Sequence, residues 1–169
     1  MKTLRTLSFT LILAFLAMAA DARPTAANSI DKIVAIYLDL KNALVNSDAN
    51  TAKVKAKGLV TALSAPPDAA LTPAQQKTFS KYQDKLLFDS RHISEANTVE
   101  HQREHFANLS TNLYEALKTV KLNSLTLYQQ YCPMKKAYWL SESNQIKNPY
   151  FGSKMLTCGE VKAMLPPAK

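Results

Sequence analysis

The feature that most constrains the fold is a spacing of three and four residues between apolar side chains, repeated in four successive stretches. Such spacing places apolar side chains on one face of an α-helix. In the first stretch these residues are Ile30, Ile33, Tyr37, Leu40 and Leu44. Short links separate the stretches, so the chain is predicted to be mainly α, with an antiparallel four-helix bundle over residues 28–122.

Turn and capping residues mark the link between the second and third predicted helices. Pro66 and Pro67 stop the second helix, because proline has no backbone N–H to continue the hydrogen-bonding pattern. Thr72 and Pro73 open the third helix, and Gln75 is placed to complete a capping box with Thr72. The sequence therefore predicts where this link begins and ends.

The N-terminal residues carry the features of an export signal. Lys2 and Arg5 supply positive charge, and the apolar run over residues 7–16 is too short to span a bilayer. Small residues over 17–20 suit cleavage by signal peptidase. We therefore expect residues 1–20 to be a signal peptide and the protein to be periplasmic or secreted, without stable membrane insertion. No cysteine lies near the expected cleavage point, so no lipid anchor is expected.

The chain is basic, with 21 lysine and arginine residues against 13 aspartate and glutamate residues. The basic residues are scattered: Lys53, Lys55 and Lys57, for example, spread around the second helix instead of forming a stripe. No aromatic residues are interleaved with arginines, as stacking on bases would require. We therefore expect a solvated basic surface and no nucleic-acid partner.

The helical spacing stops after the fourth stretch. Leu125, Leu127 and Tyr131 alternate with polar residues, which is a weak strand pattern, and Asn148-Pro149 is typical of a turn. Residues 123–165 are therefore predicted to form a small irregular lobe, in which a short β-hairpin is one option. The lobe is expected to pack on the bundle as part of one domain.

Both cysteines of the chain lie in this lobe, each close to a methionine. The two pairs are Cys132-Pro-Met134 and Met155-x-x-Cys158. Thiolate and thioether sulfurs are soft ligands that select Cu(I), so four converging sulfurs could bind one copper ion. In an oxidising compartment, however, two cysteines in one domain usually form a disulfide, and buried methionines usually pack in a core. The residues alone leave both interpretations open.

Two histidines of the fourth helix are further metal-ligand candidates. His101 and His105 are four residues apart, so both rings could face one metal ion or the lobe, although a surface pair is the commoner explanation. His92 is expected to be solvated.

The sequence carries no glycine-rich phosphate loop, no Cys-x-x-Cys pair and no Gly-x-Ser-x-Gly motif. A cysteine nucleophile with His105 as its base is the weakest alternative. The protein is therefore expected not to be an enzyme.

Several short motifs make the chain similar to an exported bacterial family of unknown function, DUF3347, over roughly residues 29–165. In the lobe they are Tyr131-Cys-Pro-Met134, Tyr138-Trp-Leu-Ser141, Ile146-x-Asn-Pro-Tyr-x-Gly152 and Met155-Leu-Thr-Cys-Gly159. In the helices they are Asp48-Ala-Asn-x-Ala52, Arg103-Glu-His-Phe106 and Leu109-Ser110. Such domains resemble segments linked to periplasmic adaptor subunits of heavy-metal efflux pumps. The resemblance implies a role beside such pumps or other envelope proteins.

Two functions follow as expectations. The first is a non-catalytic, periplasmic or secreted accessory protein that binds a soft metal, with Cu(I) preferred. Its expected ligands are Cys132, Met134, Met155 and Cys158, with His105 as a fifth ligand or a neighbour of one. The alternative is an envelope interaction module without metal, held by a Cys132–Cys158 disulfide. Its expected contact surface consists of Tyr138, Trp139, Tyr150 and Phe151.

Overall fold

The computed structural model describes residues 28–66 and 71–168; the expected signal peptide over 1–20 and the predicted stop at Pro67 lie outside the described residues. The four helices are α1 (Ser29–Val45), α2 (Ala49–Leu63), α3 (Pro73–Glu95) and α4 (Val99–Val120). The three strands are β1 (Leu127–Cys132), β2 (Ala137–Ser141) and β3 (Glu160–Leu165), with a 3-10 turn at Gly152–Met155. The predicted mainly α fold of four packed helices is confirmed.

Side-chain caps fix where the helices begin. The Asn28 side chain accepts a hydrogen bond from the Asp31 N–H at 2.8 Å, and Asp48 caps α2 in the same way. The predicted capping box between Thr72 and Gln75 is present at the start of α3. Each cap satisfies an N–H group that would otherwise lack a partner in the first turn, which stabilises a helix by about 1 kcal/mol.

Successive helices pack against each other, and β2 lies against both α4 and α1. Tyr37 of α1 joins these parts: its ring stacks on Phe106 of α4 with centroids 5.2 Å apart. The Tyr37 hydroxyl is hydrogen-bonded to the Ser110 hydroxyl at 2.7 Å and accepts the Leu140 N–H of β2 at 3.0 Å. Burial raises the pKa of Tyr37 far above its ordinary value, so the phenol stays neutral and can hold both bonds.

The lobe contains a three-stranded antiparallel sheet in the order β2-β1-β3. β1 and β2 form the hairpin that the sequence offered as one option. β3 is an addition that the sequence did not predict: it pairs with the other edge of β1, so that Tyr131 lies opposite Glu160. Most β3 side chains are exposed, and their partners in β1 lie far back along the chain, so no local feature indicates this pairing.

One buried arginine of α4 fastens the lobe to the bundle. Arg103 Nε donates to the Pro149 carbonyl at 2.7 Å, and Nη2 donates to the Leu44 carbonyl and the Ser47 hydroxyl, both at 2.9 Å. Desolvation lowers the pKa of Arg103, and the charge of Glu100 opposes that change. A single side chain thereby connects α4, the end of α1 and the turn that begins the second half of the lobe.

Asn148 organises that turn from within. Its side-chain oxygen accepts the N–H groups of Tyr150 and Phe151 at 2.8 and 3.2 Å, and its amide nitrogen donates to the Cys158 carbonyl at 2.7 Å. Gly152 follows with φ +57, and a Cβ there would lie 2.7 Å from the Ser47 hydroxyl. A residue without a side chain therefore lets the turn approach the end of α1.

A buried lysine makes a second connection between α1 and the lobe. The Lys41 ammonium donates to the Glu142 carboxylate at 2.8 Å, directly after β2. Desolvation, the largest influence, tends to raise the pKa of Glu142, but the hydrogen bond and charge of Lys41 bring it below its ordinary value overall. The ion pair thus compensates the burial of the Lys41 charge.

Candidate thiol site in the C-terminal lobe

The sheet places the two cysteines side by side. Cys132 ends β1 and Cys158 precedes β3, and the antiparallel pairing of these strands brings both to the same end of the sheet. Both thiols are free, with Cys132 buried and Cys158 partly exposed. Desolvation raises the pKa of Cys158, and the charge and hydrogen bond of Cys132 raise it further. Each sulfur is therefore part of the other's environment.

The hairpin turn after β1 supplies a backbone donor to one sulfur. The Lys135 N–H donates to Cys132 Sγ at 3.4 Å, and Lys136 completes the turn in a left-handed conformation with φ 55. The turn therefore holds the Cys132 sulfur against the backbone that leads into β2.

The two methionines are placed differently from each other. Met155 lies in the 3-10 turn, is partly buried, and accepts the Cys158 N–H through its carbonyl at 3.1 Å. Met134 is 66% exposed on the hairpin turn. The structure therefore brings together the two cysteines, holds Met155 beside Cys158 along the chain, and leaves Met134 in contact with solvent.

His105 lies apart from the thiols, on the face of α4 that packs on α3. Its Nδ1 is hydrogen-bonded to the buried Asp89 carboxylate at 3.1 Å, and its ring stacks on His92 with centroids 4.5 Å apart. Two residues along a helix correspond to about 200° of rotation. Because Arg103 faces the lobe, His105 faces away from it, and the structure does not unite His105 with the thiols. His92, which was expected to be solvated, is partly exposed and contacts the rings of Phe88 and His105.

The four aromatic rings of the alternative do not form an exposed surface. Trp139 is 0% exposed, and Tyr150 is buried beside it with ring centroids 6.0 Å apart. The Tyr150 hydroxyl donates to the Tyr138 carbonyl, which holds the ring inside the lobe. Only Tyr138 and Phe151 are partly exposed. β2 packs on the bundle, so its inward-facing rings belong to the core, and the predicted contact surface has to be corrected.

Two features are absent from the described part of the chain. Within residues 28–66 and 71–168, no group of three or more His, Cys, Asp or Glu side chains is arranged to hold a metal ion. A metal at the thiols would therefore rely on the two cysteines and on thioethers. No helix in the same ranges is long and apolar enough to cross a membrane.

Arg103 and Asn148 have structural roles that the sequence did not predict. Both lie in motifs quoted for the family resemblance, and an asparagine before proline is a recognisable turn signal. Their buried hydrogen bonds to backbone carbonyls could not be read from spacing, because the partners are distant along the chain. These two residues fix the position of the segment before β3, which contains Cys158.

Comparison with known protein families gives a match over the helical part of the chain. The model of a family described as "Protein of unknown function (DUF3347)" matches residues 33–124. The matched range covers most of the helical part and ends before β1. No curated protein and no solved structure matches the chain.

Proposed function

We propose that this chain, which belongs to the DUF3347 family, is a non-catalytic accessory protein that binds copper as Cu(I) in the periplasm or after secretion. The observation that carries the proposal is the pair of free, adjacent thiols at the end of the sheet. Thiolates are soft ligands, and Cu(I) is the soft ion that they select. Components of heavy-metal efflux systems or other envelope proteins are the proposed partners.

The surroundings of the thiols support a site of few ligands. Cys132 and Cys158 would provide the two thiolates, and the Lys135 N–H donates a hydrogen bond to Cys132 Sγ. Met155 is the more buried thioether, and the exposed Met134 is suited to meet an incoming ion. Because the pKa of Cys158 is raised, copper must displace a proton there, so Cu(I) affinity is expected to increase with pH.

Titration with Cu(I) against a competing chelator tests the proposal. The reduced protein should take up about one Cu(I) and prefer it strongly over Zn(II), because thioethers are poor zinc ligands. Replacing Met134 and Met155 by leucine keeps the volume, so it should weaken Cu(I) binding with little loss of stability. Replacing both cysteines by serine should abolish binding. If the chelator retains all the copper at micromolar protein, the copper proposal is wrong.

A second candidate is the metal-free interaction module with a Cys132–Cys158 disulfide. Complete burial of Cys132 beside Cys158 favours it, because a buried thiol is a typical structural cysteine. Closing this loop would stabilise the fold by about 3.5 kcal/mol in the chain-entropy model. The contact surface would then use exposed apolar residues of the lobe, namely Leu156, Val161 and Met164.

The two candidates predict opposite responses to the same variants. A structural disulfide predicts that serine at both cysteine positions lowers the melting temperature of the oxidised protein, whereas leucine at both methionine positions changes little. It also predicts that the oxidised protein binds no copper. Melting curves of the oxidised and reduced forms, measured with and without Cu(I), therefore distinguish them.

A further inference from the structure

All three histidines of the sequence lie in one cluster where α3 and α4 meet. The ring centroids of His92 and His105 are 4.5 Å apart, and those of His101 and His105 are 5.0 Å apart. His101 is exposed, whereas His105 is mostly enclosed. The proposed copper site at the thiols does not involve this cluster. The histidines contact one another where α3 and α4 pack, whereas the thiols lie at the end of the sheet.

In each of the three rings, Nδ1 lies within hydrogen-bonding distance of an oxygen atom. His92 Nδ1 lies 2.9 Å from the Phe88 carbonyl, His101 Nδ1 lies 3.2 Å from the Glu104 carboxylate, and His105 Nδ1 lies 3.1 Å from the Asp89 carboxylate. A carbonyl or carboxylate oxygen can only accept, so Nδ1 carries the proton in each neutral ring. Nε2 is then the lone-pair nitrogen, which is the form of histidine that binds a metal ion.

We propose that His101 and His105 bind one divalent metal ion of the borderline class, such as Ni(II), Cu(II) or Zn(II), through their Nε2 atoms. The two residues are one helical turn apart on α4, so their side chains are neighbours on the helix surface. Their ring planes meet at 79°, which allows two in-plane lone pairs to converge on a common point. Imidazole is a preferred ligand of these ions, and water would complete the coordination.

His92 lies beside the proposed site but does not bind the metal. Its ring is nearly parallel to that of His105, with planes inclined by 26°. Lone pairs in parallel planes 4.5 Å apart do not converge on one ion with nitrogen distances of about 2.0–2.1 Å. The described residues contain no group of three or more His, Cys, Asp or Glu side chains that could hold a metal ion, so the proposed site has two histidine ligands only.

Asp89 orients the enclosed ligand. Its carboxylate is buried and holds the Nδ1 side of the His105 ring, an arrangement in which a carboxylate fixes the tautomer and increases the basicity of the ligand. Glu104 plays the same part for His101 at the exposed edge. The two carboxylates also place negative charge beside the expected cation, which favours a divalent ion.

The test uses Ni(II), which thiols do not reduce, and the reduced full-length protein without a histidine tag. The unsubstituted protein should bind one Ni(II), with broadened amide signals at the start of α4 and sharp signals in β1 and β3. His101→Asn should weaken binding at least about tenfold, and Asp89→Asn should weaken it by about 10-fold to 100-fold. His92→Asn is the matched control and should leave the affinity nearly unchanged.

Three results would overturn the assignment. One is a thiolate-to-nickel charge-transfer band together with broadening around Cys132, which would place the metal at the thiols. Another is an equal loss of affinity in His92→Asn and His101→Asn, and a third is unchanged affinity in His101→Asn. His101 is 52% exposed, so its replacement is not expected to prevent folding, whereas Asp89→Asn needs a melting curve as a check. The outcome is independent of the Cu(I) titration, because the two sites share no residue.

Discussion

The helical bundle and the C-terminal lobe share one apolar core, but the lobe depends in addition on a few polar contacts. In the bundle, the core is shared among many apolar side chains, of which Phe106 and Leu109 are representative. The lobe adds Trp139 to this core, and it is also held by Arg103 and Asn148, which bind backbone carbonyls, and by two glycines that permit close approaches. A bundle made in this way loses stability according to the volume removed. The lobe should instead depend on individual residues.

Arg103→Met should have the largest effect. The variant keeps most of the side-chain length but leaves two buried carbonyls and the Ser47 hydroxyl without their donor. At about 1–3 kcal/mol for each unsatisfied buried group, part of which water can compensate, the expected loss is about 3–5 kcal/mol. Urea denaturation measures it. Alkylation of the buried Cys132 in the reduced protein, followed by mass spectrometry, reports how often the lobe opens, either by itself or with the whole protein.

Leu109→Ala is the matched variant in the bundle. It should cost about 2–5 kcal/mol because it leaves a cavity in the core. In Leu109→Ala, the rate of Cys132 alkylation should increase only as much as the loss of global stability explains. In Arg103→Met the rate should increase more than that, because the lobe also opens by itself. If alkylation follows global stability equally in both variants, the bundle and the lobe form one cooperative unit and the comparison fails.

Gly159→Ala and Gly58→Ala should change stability in opposite directions. Gly159 has φ +152, and a Cβ there would lie 2.8 Å from the Trp139 ring and 3.0 Å from the Tyr131 carbonyl. The alanine should therefore destabilise by about 2–3 kcal/mol through backbone strain and overpacking. At Gly58, in the middle of α2, the added methyl meets only Ile36 at 3.4 Å, so higher helix propensity should stabilise by up to about 1 kcal/mol. Thermal melting of both variants checks the signs, and a stabilised Gly159→Ala would contradict the packing of the lobe.

The pH dependence of the Lys41–Glu142 pair should be the smallest effect. Because the folded protein lowers the pKa of Glu142, its contribution is present above the ordinary value of 4.5 and is lost as pH falls through the lower folded value. Glu142 is 44% exposed, so the contribution should be about 1 kcal/mol or less. Melting temperatures of the unsubstituted protein and Glu142→Gln should differ at pH 7 and converge towards about pH 3. A difference that does not change with pH would mean that the charge of Glu142 does not stabilise the fold.

The helices could be predicted from the sequence because their information is local. The spacing of Ile30, Ile33 and Tyr37, and the capping box at Thr72, depend on residues within one or two turns. Both features are present in the structure. The predicted family is also confirmed, over residues 33–124, which include the motifs quoted from the helices but none of those quoted from the lobe.

The lobe and the site could be predicted only in part, because they depend on pairings between distant residues. The hairpin of β1 and β2 is local, but β3 joins the sheet across a long turn that Asn148 and Arg103 hold. The position of His105 depended on which face of α4 packs on the lobe, and Arg103 occupies that face. Because the sequence does not show that Arg103 faces the lobe, it gave no reason to place His105 away from the cysteines.

The burial of Trp139 makes the lobe visible by itself in an optical experiment. Trp139 is the only tryptophan in the sequence and lies fully buried on β2, and its indole Nε1 has no hydrogen-bond partner among the described residues. An indole in such dry surroundings emits at shorter wavelength than one in water. Fluorescence thus follows the lobe, while circular dichroism at 222 nm follows mainly the helices, so that one sample reports the two regions through separate signals.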